Sequence, residues 1–182
     1  MQFSHYLNHS YQKGFTLIET IVGMVVLAIS FSILTTLIYP VAQQSADQLH
    51  QVKAAELAQS VLNEIQNKAF DNNSDMAGGR VRCGENAIPC STTMGSEGAE
   101  TRATFNDVDD YNGLVYSAGE IENSQGIIID LYIGYSMRIT VRNDANYDGS
   151  FPNDISTAKL ITVTITTPTD FSMNFSTYRA NF

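Results

Sequence analysis

The sharpest chemistry in the sequence is carried by one carboxylate. Glu19 is the single charged residue between Phe15 and Tyr39, set in a run of Ile, Val, Leu, Met, Ala and Phe. A carboxylate in such a run costs on the order of a few kcal/mol in a bilayer, unless it lies near an end or meets a cation. The free α-amino group of Phe15 on a neighbouring copy would be such a cation. That amine exists only if the chain is cut between Gly14 and Phe15.

Three other groups have the types and spacing to do chemistry. Asp144-Ala145-Asn146-Tyr147-Asp148-Gly149 follows Asp-x-Asn-x-Asp-Gly, the first half of an EF-hand loop, in which alternate side chains aim oxygens at one calcium ion. Ile155 stands where the bidentate Glu belongs, with Asp154 beside it as a substitute. The candidate calcium ligands are therefore Asp144, Asn146, Asp148 and Asp154; the competing reading is an ordinary polar hairpin loop. Asp107, Asp109 and Asp110 form an acidic run that reads as a cation cluster or, more commonly, a solvated turn. Cys83 and Cys90, seven apart, are too few for a zinc site and leave a disulfide or two free thiols. If the apolar run exports the rest of the chain, the compartment is oxidising and the disulfide is expected.

Catalysis is poorly supplied. Of the three His, His5 and His9 precede the Gly14-Phe15 junction, so only His50 would remain to serve a Ser-His-Asp or Cys-His site. There is no Gly-x-Ser-x-Gly, phosphate loop or zinc pair. No enzyme activity and no obligatory cofactor is expected.

The elements that must position these groups follow from periodicity. At about 1.5 Å per residue, a helix over 15–40 crosses a hydrocarbon core of about 30 Å. The run is too long for the apolar region of a secretory signal and lacks its cleavage site. Pro40 removes one helix hydrogen bond and should kink the rod; Gly23 is a soft point or a close-packing position. Over 41–70 the helix turns amphipathic, with Leu49, Val52, Ala55, Ala58, Leu62, Ile65 and Ala69 at three- and four-residue steps. Glu64 and Lys68 are spaced for an i,i+4 pair. Asp71-Asn72-Asn73-Ser74 and Gly78-Gly79 end it. An irregular region runs from there to about residue 124, with a short strand expected near Arg102–Phe105.

The last third alternates. Tyr135, Met137, Ile139 and Val141 face one way, as do Ile161, Val163 and Ile165, and Phe171, Met173 and Phe175. Turns at 143–157 and at Pro168-Thr169-Asp170 make these an antiparallel meander, with Ile127–Ile133 as a more buried strand before it. The fold class is α+β: a long N-terminal helix, transmembrane and then amphipathic, packed on a C-terminal antiparallel β-sheet. The formal net charge is −9, and fifteen of the nineteen acids lie beyond residue 70 against seven of the ten Lys and Arg. Such a surface repels phosphates, so no nucleic acid partner is expected.

Lys13-Gly14-Phe15-Thr16-Leu17-Ile18-Glu19, directly followed by the apolar run, resembles the prepilin signature of type IV pilins and type II secretion pseudopilins. The resemblance implies a leader peptide over 1–14, cleavage between Gly14 and Phe15 by a prepilin peptidase, and N-methylation of Phe15. It implies that Glu19 neutralises a terminal amine in assembly and that 71–182 is a periplasmic, later extracellular, head. Lys13, with no acid before it, keeps the leader cytoplasmic. The implied partners are membrane lipid before assembly, the inner-membrane assembly platform, and other major and minor pilins. The long helix on a sheet is also the pilin fold. Lys53-Ala54-Ala55-Glu56-Leu57-Ala58-Gln59, Arg82-Cys83-Gly84-Glu85, Asp107-Val108-Asp109-Asp110-Tyr111 and Tyr178-Arg179-Ala180-Asn181-Phe182 are similar to the minor pilin family MshD of the mannose-sensitive haemagglutinin (MSHA) pilus. That likeness implies a low-abundance subunit for assembly, initiation or the pilus tip. The rival readings are a secretion pseudopilin and a membrane-anchored binding module that never polymerises.

Overall fold

The structure, a computed structural model, describes residues 14–38, 44–76, 79–151 and 153–182 in full and residues 39–43 as helix only. The leader as far as Lys13, and the kink expected at Pro40, lie outside the described residues. The chain divides into two compact units between Ala46 and Asp47.

The first unit holds the N-terminal part of α1 (Leu17–Gln66). Leu17–Ile38 has a mean hydropathy of 2.5 and none of it is buried, so it is long and apolar enough to cross a membrane. Four of its hydroxyls, on Thr20, Ser30, Thr35 and Thr36, bond back within the helix. Thr20 donates to the Leu17 carbonyl, Ser30 to Val26, and Thr36 to Ile33, at 2.8 Å each. A hydroxyl bonded back to its own helix presents no unmet donor to hydrocarbon.

In the second unit α1 buries Ala54, Leu57, Ala58, Val61, Leu62 and Ile65. This stripe is rotated from the expected one. Leu49 and Val52 are 58% and 56% exposed and Ala55 is exposed too, because they stand off the line through Ala54, Ala58, Val61 and Ile65. The helix stops at Gln66, short of residue 70. Lys68 N–H bonds to Ile65, and Ala69 leaves to pair in parallel with Asp107.

Four antiparallel strands form one sheet in sequence order: β1 (Val115–Tyr116), β2 (Ser136–Asn143), β3 (Ala158–Thr166) and β4 (Ser172–Ala180). Met137, Ile139 and Val141 of β2 and Ile161, Val163 and Ile165 of β3 are buried and share one core with the α1 stripe. Here the alternation reads as expected. On β4 it is weaker: Met173 and Phe175 are only partly buried and Phe171 is exposed. The polar face carries hydroxyl and amide pairs across β3 and β4: Thr162 with Ser176, Thr164 with Asn174 and Thr166 with Ser172, at 2.8–2.9 Å.

Two expected strands are not strands. Thr101–Thr104 is a turn, with Thr104 N–H on the Thr101 carbonyl at 2.7 Å. Ile127–Ile133 is a loop around a 3-10 turn, Asp130–Tyr132, and its Ile127, Ile128, Leu131 and Ile133 are exposed. Turns at Asn123–Gly126 and at Gly134, with φ of 75° and 85° at the two glycines, leave this short apolar run no length to pair along the sheet.

At the start of β3 the core is ionic. Lys159 is buried on the same face as Ile161, and its Nζ lies 2.6 Å from the Phe70 carbonyl, 2.7 Å from Asp109 and 3.8 Å from Asp71. It also sits 4.2 Å from the Phe70 ring centroid. Lys159→Met should therefore leave two buried carboxylates without their cation and cost about 3–5 kcal/mol in urea unfolding. An unfolding midpoint equal to wild type would show that the ammonium does not hold the head.

Candidate functional site

Gly14, Phe15 and Thr16 lie outside the helix, and Phe15 is 82% exposed. A Cβ added at Gly14 would meet nothing within 4 Å. An open, non-helical junction ahead of a helix is what an endopeptidase needs in order to take the chain in extended form.

Thr16 and Glu19 then start the helix together. Glu19 N–H donates to Thr16 Oγ1 at 3.3 Å, and Thr16 N–H reaches Glu19 Oε2 at a long 3.5 Å. This is a capping box, with Thr at the cap and Glu three residues on, and the helix dipole favours the carboxylate there. Reading Glu19 as an assembly charge alone misses this role, although the Thr-x-x-Glu spacing is plain in the sequence. The two roles are compatible: a cap bond this long on an exposed carboxylate leaves its oxygens open to an ammonium.

The cysteines form a disulfide, Cys83–Cys90. Phe70, Ile88 and Ile155 pack around it in a second small core. Asn181 Nδ2 clamps the end of the chain to it, donating to the Cys83 carbonyl at 2.9 Å and to the Ser156 carbonyl at 2.8 Å. Gly84 has φ +81°, and a Cβ there would lie 2.5 Å from Ser156 Cβ, so glycine is required by both backbone and space.

The 143–157 loop joins β2 to β3 and holds Asp144, Asn146, Asp148 and Asp154. Asp144 is buried, and its oxygens accept from Gly149 N–H at 2.9 Å, Asp148 N–H at 3.3 Å and Tyr178 Oη at 2.7 Å. Burial raises the Asp144 carboxyl, but these donors outweigh it and hold the group below the usual carboxylate range. Asn146 Nδ2 donates to Asp148 at 2.7 Å, and Asp154 turns aside to Ser156 and Thr157 at 2.8 Å each. The four candidate ligands thus share one loop and are engaged there by its own donors.

The acidic run is not a solvated turn. Asp107, Asp109 and Asp110 are all buried, beside the 3-10 turn Asp109–Tyr111. Asp107 Oδ1 accepts Asp109 N–H at 2.7 Å and Asp110 N–H at 3.2 Å, while Asp110 Oδ2 accepts Asn106 N–H at 2.8 Å and Asp107 N–H at 3.1 Å. Glu64 does not pair with Lys68. Arg102 grips it through two nitrogens at 2.7 and 3.2 Å, and Tyr111 Oη donates to it at 2.8 Å. Lys68 Nζ instead donates to the Phe105 carbonyl at 2.5 Å. The partners of these charges are 37 or more residues away, so local spacing could not find them.

Together these features define an α+β, pilin-like protein: an exposed junction, a capped apolar helix, and an antiparallel sheet on the second unit. The family model described as the prokaryotic N-terminal methylation motif matches residues 9–35. The chain thus carries a type IV prepilin-like motif, which implies processing by prepilin peptidase and assembly with pilins. No curated protein and no solved structure matches.

Burial first, and then Asp109 and Asp110, push the Asp107 carboxyl up to about 7. An unfolded aspartate gives up its proton near pH 4, whereas the folded one keeps it to about 7. Its contribution to stability is complete below pH 4 and is lost as pH rises through 7. Melting temperature in chelator should fall across that window, and Asp107→Asn should flatten the fall. A wild-type profile that is level from pH 4 to 8 would contradict this assignment.

Proposed function

We propose that the chain is a minor subunit of a type IV pilus of the MSHA kind, acting in assembly, initiation or at the tip. The observation that carries the reading is the order of parts at the N-terminus: Gly14-Phe15 exposed, Thr16 and Glu19 capping, then an apolar helix whose described side chains are exposed. In this reading prepilin peptidase cuts after Gly14 and methylates Phe15. The helix rests in the inner membrane with the leader cytoplasmic and the head periplasmic. It then exchanges lipid for neighbouring pilin helices at the assembly platform and leaves the membrane for the cell surface. Glu19 supports the exchange chemically, since a carboxylate and a terminal amine neutralise one another best where water is scarce. The similarities to the MshD family support the pilus over a secretion pseudopilin. No nucleic acid or catalytic role enters.

Mass spectrometry of the assembled protein should find N-methyl-phenylalanine at residue 15; an intact Met1 start in assembled material would refute processing. Glu19→Val should insert in the membrane at an unchanged protein level, yet incorporate into filaments at least tenfold less. Normal incorporation would show that the charge pair is dispensable. Impaired secretion with normal piliation would favour the pseudopilin.

A further inference from the structure

Glu97, Asp107 and Asp110 each offer a carboxylate oxygen within 4.8 Å of the other two. Asp107 is 0% exposed and Asp110 2%. One oxygen of each Asp is engaged by backbone N–H donors of the 106–110 turn. The other oxygen of each, Asp107 Oδ2 and Asp110 Oδ1, is buried with no hydrogen-bond partner, and so is Glu97 Oε2. None of the three forms an ion pair among the described residues. Among the described residues the ion pairs are Arg82–Glu85, Arg102–Glu64, and Lys159 with Asp71 and Asp109. Asp109, though in the same run, faces Lys159 and is not part of the group.

Buried carboxylate oxygens left without donors are costly, and three together repel. The surroundings nevertheless hold them together. Glu100 accepts Glu97 N–H at 3.1 Å and Asn106 Nδ2 at 3.3 Å, which fixes the Glu97 segment against the Asp107 turn. We propose that Glu97, Asp107 and Asp110 bind a calcium ion that fastens the loop around Glu97 to the 107–110 turn. An all-oxygen, strongly anionic set selects a hard cation. Oxygens within 4.8 Å of one another can share one calcium shell, with calcium–oxygen distances of about 2.3–2.6 Å, and calcium accepts an irregular oxygen set where magnesium demands a near-ideal octahedron. Glu97, only partly buried, forms the mouth through which the ion enters and water completes its shell. The site is separate from the Asp144 loop and independent of the filament reading.

The mature full-length protein in detergent micelles, stripped with chelator, is titrated with calcium chloride by calorimetry, with magnesium chloride as control. One calcium per chain should bind, and saturation should raise the melting temperature of the head by about 5 °C. Asp107→Asn should abolish binding. Glu97→Gln, at the least buried of the three positions, should weaken it at least tenfold without disturbing the fold, and decides the matter if Asp107→Asn does not fold. Asp148→Ala should bind as wild type does. No heat or shift with calcium, a Glu97→Gln titration equal to wild type, or loss of binding in Asp148→Ala would each overturn the site.

Discussion

The head is built around a buried ammonium. Lys159 Nζ lies against the Phe70 carbonyl and Asp109 and near Asp71, three groups from two stretches of chain. Phe70 and Asp71 come just after the end of α1, and Asp109 belongs to the 3-10 turn. One cation on β3 thus fixes where the chain goes when it leaves the helix and where the acidic run lies against it. Asp71 extends the reach, accepting Asn73 N–H at 2.9 Å and Ser91 N–H at 2.8 Å, which brings in the strand of chain just beyond Cys90. The long irregular region, unusual for a compact domain, is therefore pinned at both ends of the disulfide loop.

A hydrophobic replacement of such a cluster is often as stable as the ions it removes. What the ions supply instead is a unique arrangement. The apolar stripe of α1 can slide along a β-sheet at small cost, since Ala, Leu and Val pack in several ways. Arg102 on Glu64 cannot slide, because its two nitrogens meet two carboxylate oxygens in a fixed fork. Lys159 and Arg102 hold the irregular region at two points, one just past the helix end and one on the helix itself. Between them runs the parallel bridge of Ala69 with Asp107. Register between helix, loop and sheet comes from these three attachments.

Much of this is legible in the residues, and the failures share a cause. The apolar run, the meander and its two connecting turns read correctly because their signals are local: a run of one kind, or a period of two. The Glu64–Lys68 pair and the solvated acidic turn read wrongly because local spacing gives each charge its nearest partner or water. Their real partners are brought in by the fold. One signal is nonetheless available. Counting back by two from Ile165, Val163 and Ile161 lands on Lys159, so the sheet's own alternation puts a lysine on the core face. A lysine there demands buried acids, and the acidic run beyond residue 106 is the obvious supplier. The exposed Ile127–Ile133 stretch fails differently, since a short apolar run bounded by glycines carries no periodicity to separate a strand from a loop.

The two units answer opposite demands. The head pairs many of its buried charges over long range and buries its apolar strand faces on its own helix. The N-terminal helix bonds Thr20, Ser30, Thr35 and Thr36 hydroxyls internally, yet its described apolar side chains are exposed on every side. Such a helix is stable only where something else supplies the apolar surroundings, lipid at one time and like helices at another. Lipid and neighbouring helices are nearly equal as solvents for Ile, Val and Leu, so apolar burial alone cannot drive the exchange. A charge can. Glu19 is costly in lipid and compensated beside an amine, and it sits in the first turn, where the cut at Gly14-Phe15 would create that amine. In the proposed reading, the single charge in the apolar run is the feature that makes leaving the membrane favourable.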